Sequence, residues 1–131
     1  ALALVIAAAI YIIHQIIAMH RTSIFRSNDV NRKLKFAYTY LEKLAGYQKF
    51  KLKGTLDYMG FAEYMGDKVF YITSDKLKFI FNVFLKNAYS YEPATAEEAN
   101  EVMVMLREYS GRIYSDLSKK EKLIYKYILN L

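Results

Sequence analysis

Residues 1–19 read ALALVIAAAIYIIHQIIAM, with no charged residue, no glycine and no proline. At about 1.5 Å per residue, a helix of this length reaches roughly 28 Å, close to the ~30 Å hydrocarbon core of a bilayer. Only Tyr11, His14 and Gln15 interrupt its apolar character before His20. A helix that is apolar around its whole circumference needs lipid or other subunits on every side. A core helix of a soluble protein is usually shorter and carries a polar stripe. No basic region precedes the stretch, so it is expected to be retained rather than cleaved as a secretory leader. The expectation is a membrane or assembly helix over residues 1–22, presenting Leu4, Ile6, Ile10, Ile13 and Ile17, ahead of a small helical domain over residues 23–131.

Charge supports a boundary just beyond this stretch. Residues 20–53 hold nine Lys and Arg against Asp29 and Glu42, in a chain whose total formal charge is +6. A basic run directly after an apolar helix is the positive-inside pattern, which would put the domain on the cytoplasmic side. Arg21, Arg26, Arg32, Lys33 and Lys35 are the candidate flank for lipid headgroups or a partner. Nucleic acid is a weaker expectation, because these residues spread around a helix without an aromatic-flanked recognition motif.

Composition narrows the fold. Among 131 residues there are five glycines, one proline and no cysteine. So few turn residues exclude a sandwich of short strands, and the chain is expected to be mainly α. The lack of cysteine removes disulfides, thiol catalysis and Cys-ligated metal. Val30, Leu34, Ala37, Leu41 and Leu44 repeat at alternating spacings of four and three, one seam of a helix. Ser27 or Asn28 is a candidate cap for it, and Gly46 a natural stop. Since neither glycine nor proline lies between Met19 and Val30, a single rod from about residue 2 to 45 is equally allowed.

Downstream, residues 61–73 offer two readings of equal weight. Gly66-Asp67 suits a type II′ turn between strands 61–65 and 68–73, while a short helix over 55–65 competes. A helix then follows to about Ala88, capped by Ser74 or Asp75. Thr95 with Glu98, and Ser118 with Glu121, have the spacing of capping boxes. The first precedes a stripe of Ala99, Val102, Met103, Leu106 and Tyr109; the second precedes Leu123, Ile124, Tyr127, Ile128 and Leu131. Both stripes are expected to face the core.

Catalytic constellations are missing from the sequence. His14 and His20 lie roughly 240° apart around a helix, so they cannot bind one metal together. His14 is the ionisable group inside the apolar span and therefore needs a partner, expected from a neighbouring chain. Glu97, Glu98, Glu101 and Glu108 concentrate on one helix, where they suit its dipole or meet the basic 20–53 segment of another copy. No phosphate loop or nucleophile elbow is present. No cofactor is expected. The 13 tyrosines suit core edges and subunit contacts.

The plan of an apolar N-terminal helix leading into an amphipathic one resembles that of mature type IV pilins over residues 1–45. Val5 stands where that family has Glu, and Ala1 where it has Phe or Met, so membership is not inferred. The function expected is a non-enzymatic structural subunit whose apolar helix packs in a bilayer or among copies of itself, as in a filament. The alternative is a single-pass accessory subunit of a larger membrane complex with a cytoplasmic docking domain.

Overall fold

Whether residues 2–45 form one rod or two helices is decided at residues 27–29, by the side chains of Ser27 and Asp29. In the computed structural model, which describes residues 2–51, 57–68, 71–89 and 92–131, helix α1 runs Leu2–Arg26 and α2 runs Val30–Tyr47. Ser27 N donates to the Ile24 carbonyl at 3.1 Å, and Asp29 N to Ser27 Oγ at 3.1 Å. Asp29, not Ser27 or Asn28, is the cap: its carboxylate accepts from Arg32 N at 3.2 Å. A capped start satisfies donors that a continuous rod would have kept internal, so the break costs little. At its other end α2 passes through Gly46. Lys49 takes the left-handed turn with φ 70°, and Phe50 N reaches back to the Ala45 carbonyl at 2.8 Å, a Schellman closure.

Helix α3, Tyr58–Lys68, occupies the stretch for which a hairpin competed. Residues 61–65 and the Gly66-Asp67 pair are helical, and Val69 and Phe70 of the second strand lie outside the described residues. Asp57 accepts from Gly60 N at 2.9 Å, and Ala62 and Met65 are buried one turn apart. Gly66 serves packing rather than a turn. A Cβ there would sit 2.6 Å from the Ser74 backbone nitrogen, so its absence lets α3 close against the start of α4.

Helix α4, Ser74–Tyr89, is capped by Thr73, whose hydroxyl accepts from Lys76 N at 3.3 Å. Helix α5 runs Ala96–Ser115 and continues through Gly111. Its box is complete: Glu98 N donates to Thr95 Oγ1 at 3.1 Å and Thr95 N to Glu98 Oε1 at 3.0 Å. Helix α6, Lys119–Leu123, passes into a π-helical turn, Ile124–Ile128. Among the described residues there is no strand, and the fold is mainly α with a long N-terminal helix.

Helix α2 packs on α5 and α3 on α4, while α4 also meets α5 and α2. The seam read at Leu34, Ala37, Leu41 and Leu44 is buried, as is the α5 stripe from Ala99 to Tyr109. Leu77, Ile80, Phe81 and Val83 make α4 the element between the others. Tyr58 stacks on Phe81 with centroids 5.2 Å apart. The last stripe behaves differently: Leu123, Ile124 and Ile128 are exposed, and Tyr125 is the buried residue of that segment.

Candidate functional site

The site is the junction where α1 leaves the body. Residues 2–9 are exposed, Leu2 and Leu4 each at 75%. Further along, Ile10, His14, Ile17, Arg21 and Ile24 turn towards the body, spaced alternately by four and three. The α1 seam thus repeats the spacing of the α2 seam but carries two polar residues. Of the candidate membrane or assembly residues, Leu4, Ile6 and Ile13 point outward, whereas Ile10 and Ile17 are half-buried on the body side. The helix is long and apolar enough to cross a membrane, and no residue of its most apolar window is fully buried. It is therefore not a buried core helix.

His14 finds its partner within its own chain. Its Nδ1 donates to the Asn130 side-chain carbonyl at 3.1 Å, and its ring lies 4.7 Å from that of Tyr127. Two turns on, Arg21 donates from Nη1 to the Leu131 backbone oxygen at 2.9 Å and from Nη2 to that of Asn130. Its guanidinium also lies 5.2 Å from the Tyr40 ring centre. The left-handed conformation of Asn130, φ 56°, hooks the chain back onto α1. Nothing in the sequence around Asn130 marked this role; only the need of His14 for a partner did.

Beside this contact lies a cleft of about 770 Å³, bordered by Arg21, Arg26, Arg107 and Lys126 with Phe25 and Tyr40, with no Asp or Glu side chain in its lining. Arg107 stands 5.6 Å over the Phe25 ring and Lys126 5.3 Å over that of Tyr127. Aromatic faces thus do for these cations what carboxylates do for Lys76, Lys78 and Lys86 elsewhere. The floor is polar but satisfied: the Tyr125 and Ser110 hydroxyls lie 2.7 Å apart, both buried. Burial pushes the Tyr125 and Tyr109 phenols up from their ordinary range. Both remain protonated at neutral pH, and neither is poised as a base.

The basic flank divides in two. Arg26, Arg32 and Lys35 are exposed. Arg21 is taken up by the C-terminal hook. Lys33, a candidate of the lipid or partner flank, is instead buried with its ammonium on the Asn100 side chain of α5. Its aliphatic stem extends the α2–α5 contact beside Leu34 while its head reaches a polar acceptor. Of the α5 carboxylates, Glu98 bonds Lys86 at 3.0 Å and Glu108 meets Lys76 at 3.5 Å. The Thr95 backbone N–H first and Lys86 second hold the Glu98 carboxyl below its usual range. Glu97 and Glu101 are exposed.

A second cleft, about 700 Å³ between α2 and α4, is bordered by Arg32, Lys35, Tyr38 and Phe84. Burial first, then the neighbouring Tyr58, raise the Tyr38 phenol to about 12. Among the described residues no three His, Asp or Glu side chains converge as metal ligands. Comparison of the chain with protein-family models, curated proteins and solved structures returns no match.

Proposed function

We propose that the chain is a non-enzymatic structural subunit of a membrane-seated assembly, anchored by α1. One observation carries this reading: the part of α1 that its own body leaves bare, residues 2–13 apart from the half-buried Ile10, is aliphatic except for Tyr11, and the polar groups His14 and Arg21 are engaged from the body side, while Gln15 alone of the remaining span, residues 14–19, is polar and exposed. A helix surrounded by water would reverse that arrangement. The packing of Arg21 and Ile24 into the body also favours a helix that works as part of the domain over a leader destined for removal.

The anchor is tested by extracting membranes from cells that make the full chain. Retention through alkaline carbonate and release by detergent is expected; recovery in the carbonate supernatant would sink the reading. Ile13→Arg, which puts a cost of about 2.5–3.5 kcal/mol into the span, should move the chain to the soluble or aggregated fraction.

A second reading, a filament of many copies, draws on charge. Arg26, Arg32 and Lys35 lie exposed on or beside α2, and Glu97 and Glu101 lie exposed on α5, so one copy offers acids where another offers bases. Under this reading the bare apolar face packs on neighbouring α1 helices. Regular polymers in a sheared cell fraction would support it, and a detergent-solubilised monomer at low salt would count against it.

A further inference from the structure

We infer that the C-terminal segment, residues 123–131, is a second membrane element, which lays its aliphatic face into the interfacial layer of the bilayer that α1 crosses. The inference rests on the anchor reading above. Its ground is the contrast between an apolar stripe left in the open and a tip whose Asn130 side chain and Asn130 and Leu131 oxygens are taken up by α1.

Leu123 is 60% exposed, Ile128 56%, Leu129 42% and Ile124 40%. They recur at four to five residues along a helix whose last turn closes with the Leu129 N to Ile124 carbonyl bond, 2.9 Å. Four large aliphatic side chains on one short helix have no core to join, because Tyr125 alone fills the niche beneath them. The segment is nonetheless fixed in place: it packs on α1, and its tip meets α1 at His14. His14 lies five residues inside the end of the uncharged stretch, about 7 Å along the helix axis. If α1 spans, the tip sits within the layer where water is scarce and every polar group needs a partner.

Partners are present for these groups except the Arg21 Nε, which is buried without one among the described residues. The Asn130 side chain holds His14, and the Asn130 and Leu131 backbone oxygens accept from Arg21. Leu131 N donates to the Tyr125 carbonyl at 3.1 Å. Lys126 lies in the segment, and Lys119, Lys120 and Lys122 with one acid, Glu121, immediately precede it. Long cationic side chains beside an aliphatic face match anionic headgroups above an acyl layer. A protein partner would be met more often through aromatic anchors than through such a stripe. The occupant is therefore the lipid surface itself, continuous with the lipid around α1.

The chain has no cysteine, so a single substitution carries a unique label. Ile6→Cys, Ile128→Cys and Glu97→Cys, each in the full chain and each bearing the same environment-sensitive dye, are reconstituted in phosphatidylcholine–phosphatidylglycerol vesicles. Quenching is measured with nitroxide-labelled lipid and with aqueous iodide. Dyes at 6 and 128 should be quenched several-fold more by the lipid nitroxide than the dye at 97, which should respond to iodide. Iodide quenching at 128 with lipid quenching at 6 overturns this proposal and leaves the anchor standing. Iodide quenching at 6 overturns the anchor and this proposal with it. Protection of 128 from both quenchers also overturns it, by assigning the stripe to a second copy or another protein. Leu129→Cys repeats the measurement at the neighbouring exposed position, so misfolding of one variant does not decide the result.

Discussion

Helix α5 and the segment that follows Ser118 are built to one plan. Each opens on a hydroxyl N-cap with a Glu at the third helical position, and each carries an apolar stripe after it. In α5 the stripe faces the core. In the C-terminal segment Leu123, Ile124 and Ile128 face out, Tyr127 and Leu131 are half-buried, and Tyr125 is buried instead. Periodicity says which side chains share a face, but a face is buried only if other elements stand opposite it. Helix α5 has α2 and α4 across from it, whereas the C-terminal segment has α1 and a niche bounded by Tyr47, Tyr114 and Ser110. That niche takes one large side chain with a hydroxyl to satisfy, which a tyrosine meets and a leucine does not.

Parallel truncations would break or sharpen this comparison. Leu106→Ala, in the buried stripe, should cost about 2–5 kcal/mol, whereas Ile128→Ala should stay within about 0.5 kcal/mol. Denaturant unfolding in detergent measures both, and equal losses would show that the C-terminal stripe is packed after all. Tyr125→Phe keeps the ring and removes the bond to Ser110, leaving a buried hydroxyl unpaired; about 1–3 kcal/mol should be lost. A neutral result would mean that water reaches Ser110.

The two caps supply smaller differences. Thr95→Ala opens a complete box and should cost about 1 kcal/mol. Ser118→Ala should cost less, because it caps the five-residue α6, which has no buried residue, whereas Thr95 caps the twenty-residue α5; unfolding midpoints in the reverse order would refute this. The pH dependence of the first cap has a defined sign. The folded-state Glu98 carboxyl is lowered by the Thr95 backbone bond and by Lys86, so its contribution is full above the ordinary carboxyl range. It disappears as pH falls through the lowered folded value. Glu98→Gln should therefore separate from the parent near neutrality and converge with it in acid, and a gap that persists in acid would show that the change acts through packing.

Most of the helical layout was legible. The uncharged stretch, the seam from Leu34 to Leu44, the α5 stripe and both capped starts lie where periodicity and cap chemistry put them, because each depends on residues within a turn or two. Residues 58–68 were balanced between hairpin and helix, and what favours the helix is long-range: Ala62, Met65 and Gly66 fit against α4, which a two-stranded turn would not reach. The site was legible in half. That His14 needs a partner follows from its place in an apolar span; that Asn130 supplies it does not, since the two lie 116 residues apart. Lys33 looked like one more solvated cation until α5 brought Asn100 to it.

By itself, the sequence determined that the first 19 residues form an apolar segment long enough to cross a membrane and that the remainder is mainly helical. Charge, helix length and capping are properties of neighbouring residues, and they hold whatever the chain packs against. Only the tertiary structure decided which side of each helix is covered, that Arg21 and His14 serve the C-terminal hook, and that the last apolar stripe stays outside. Burial is a competition among distant segments for a limited interior, and its outcome is set when they meet.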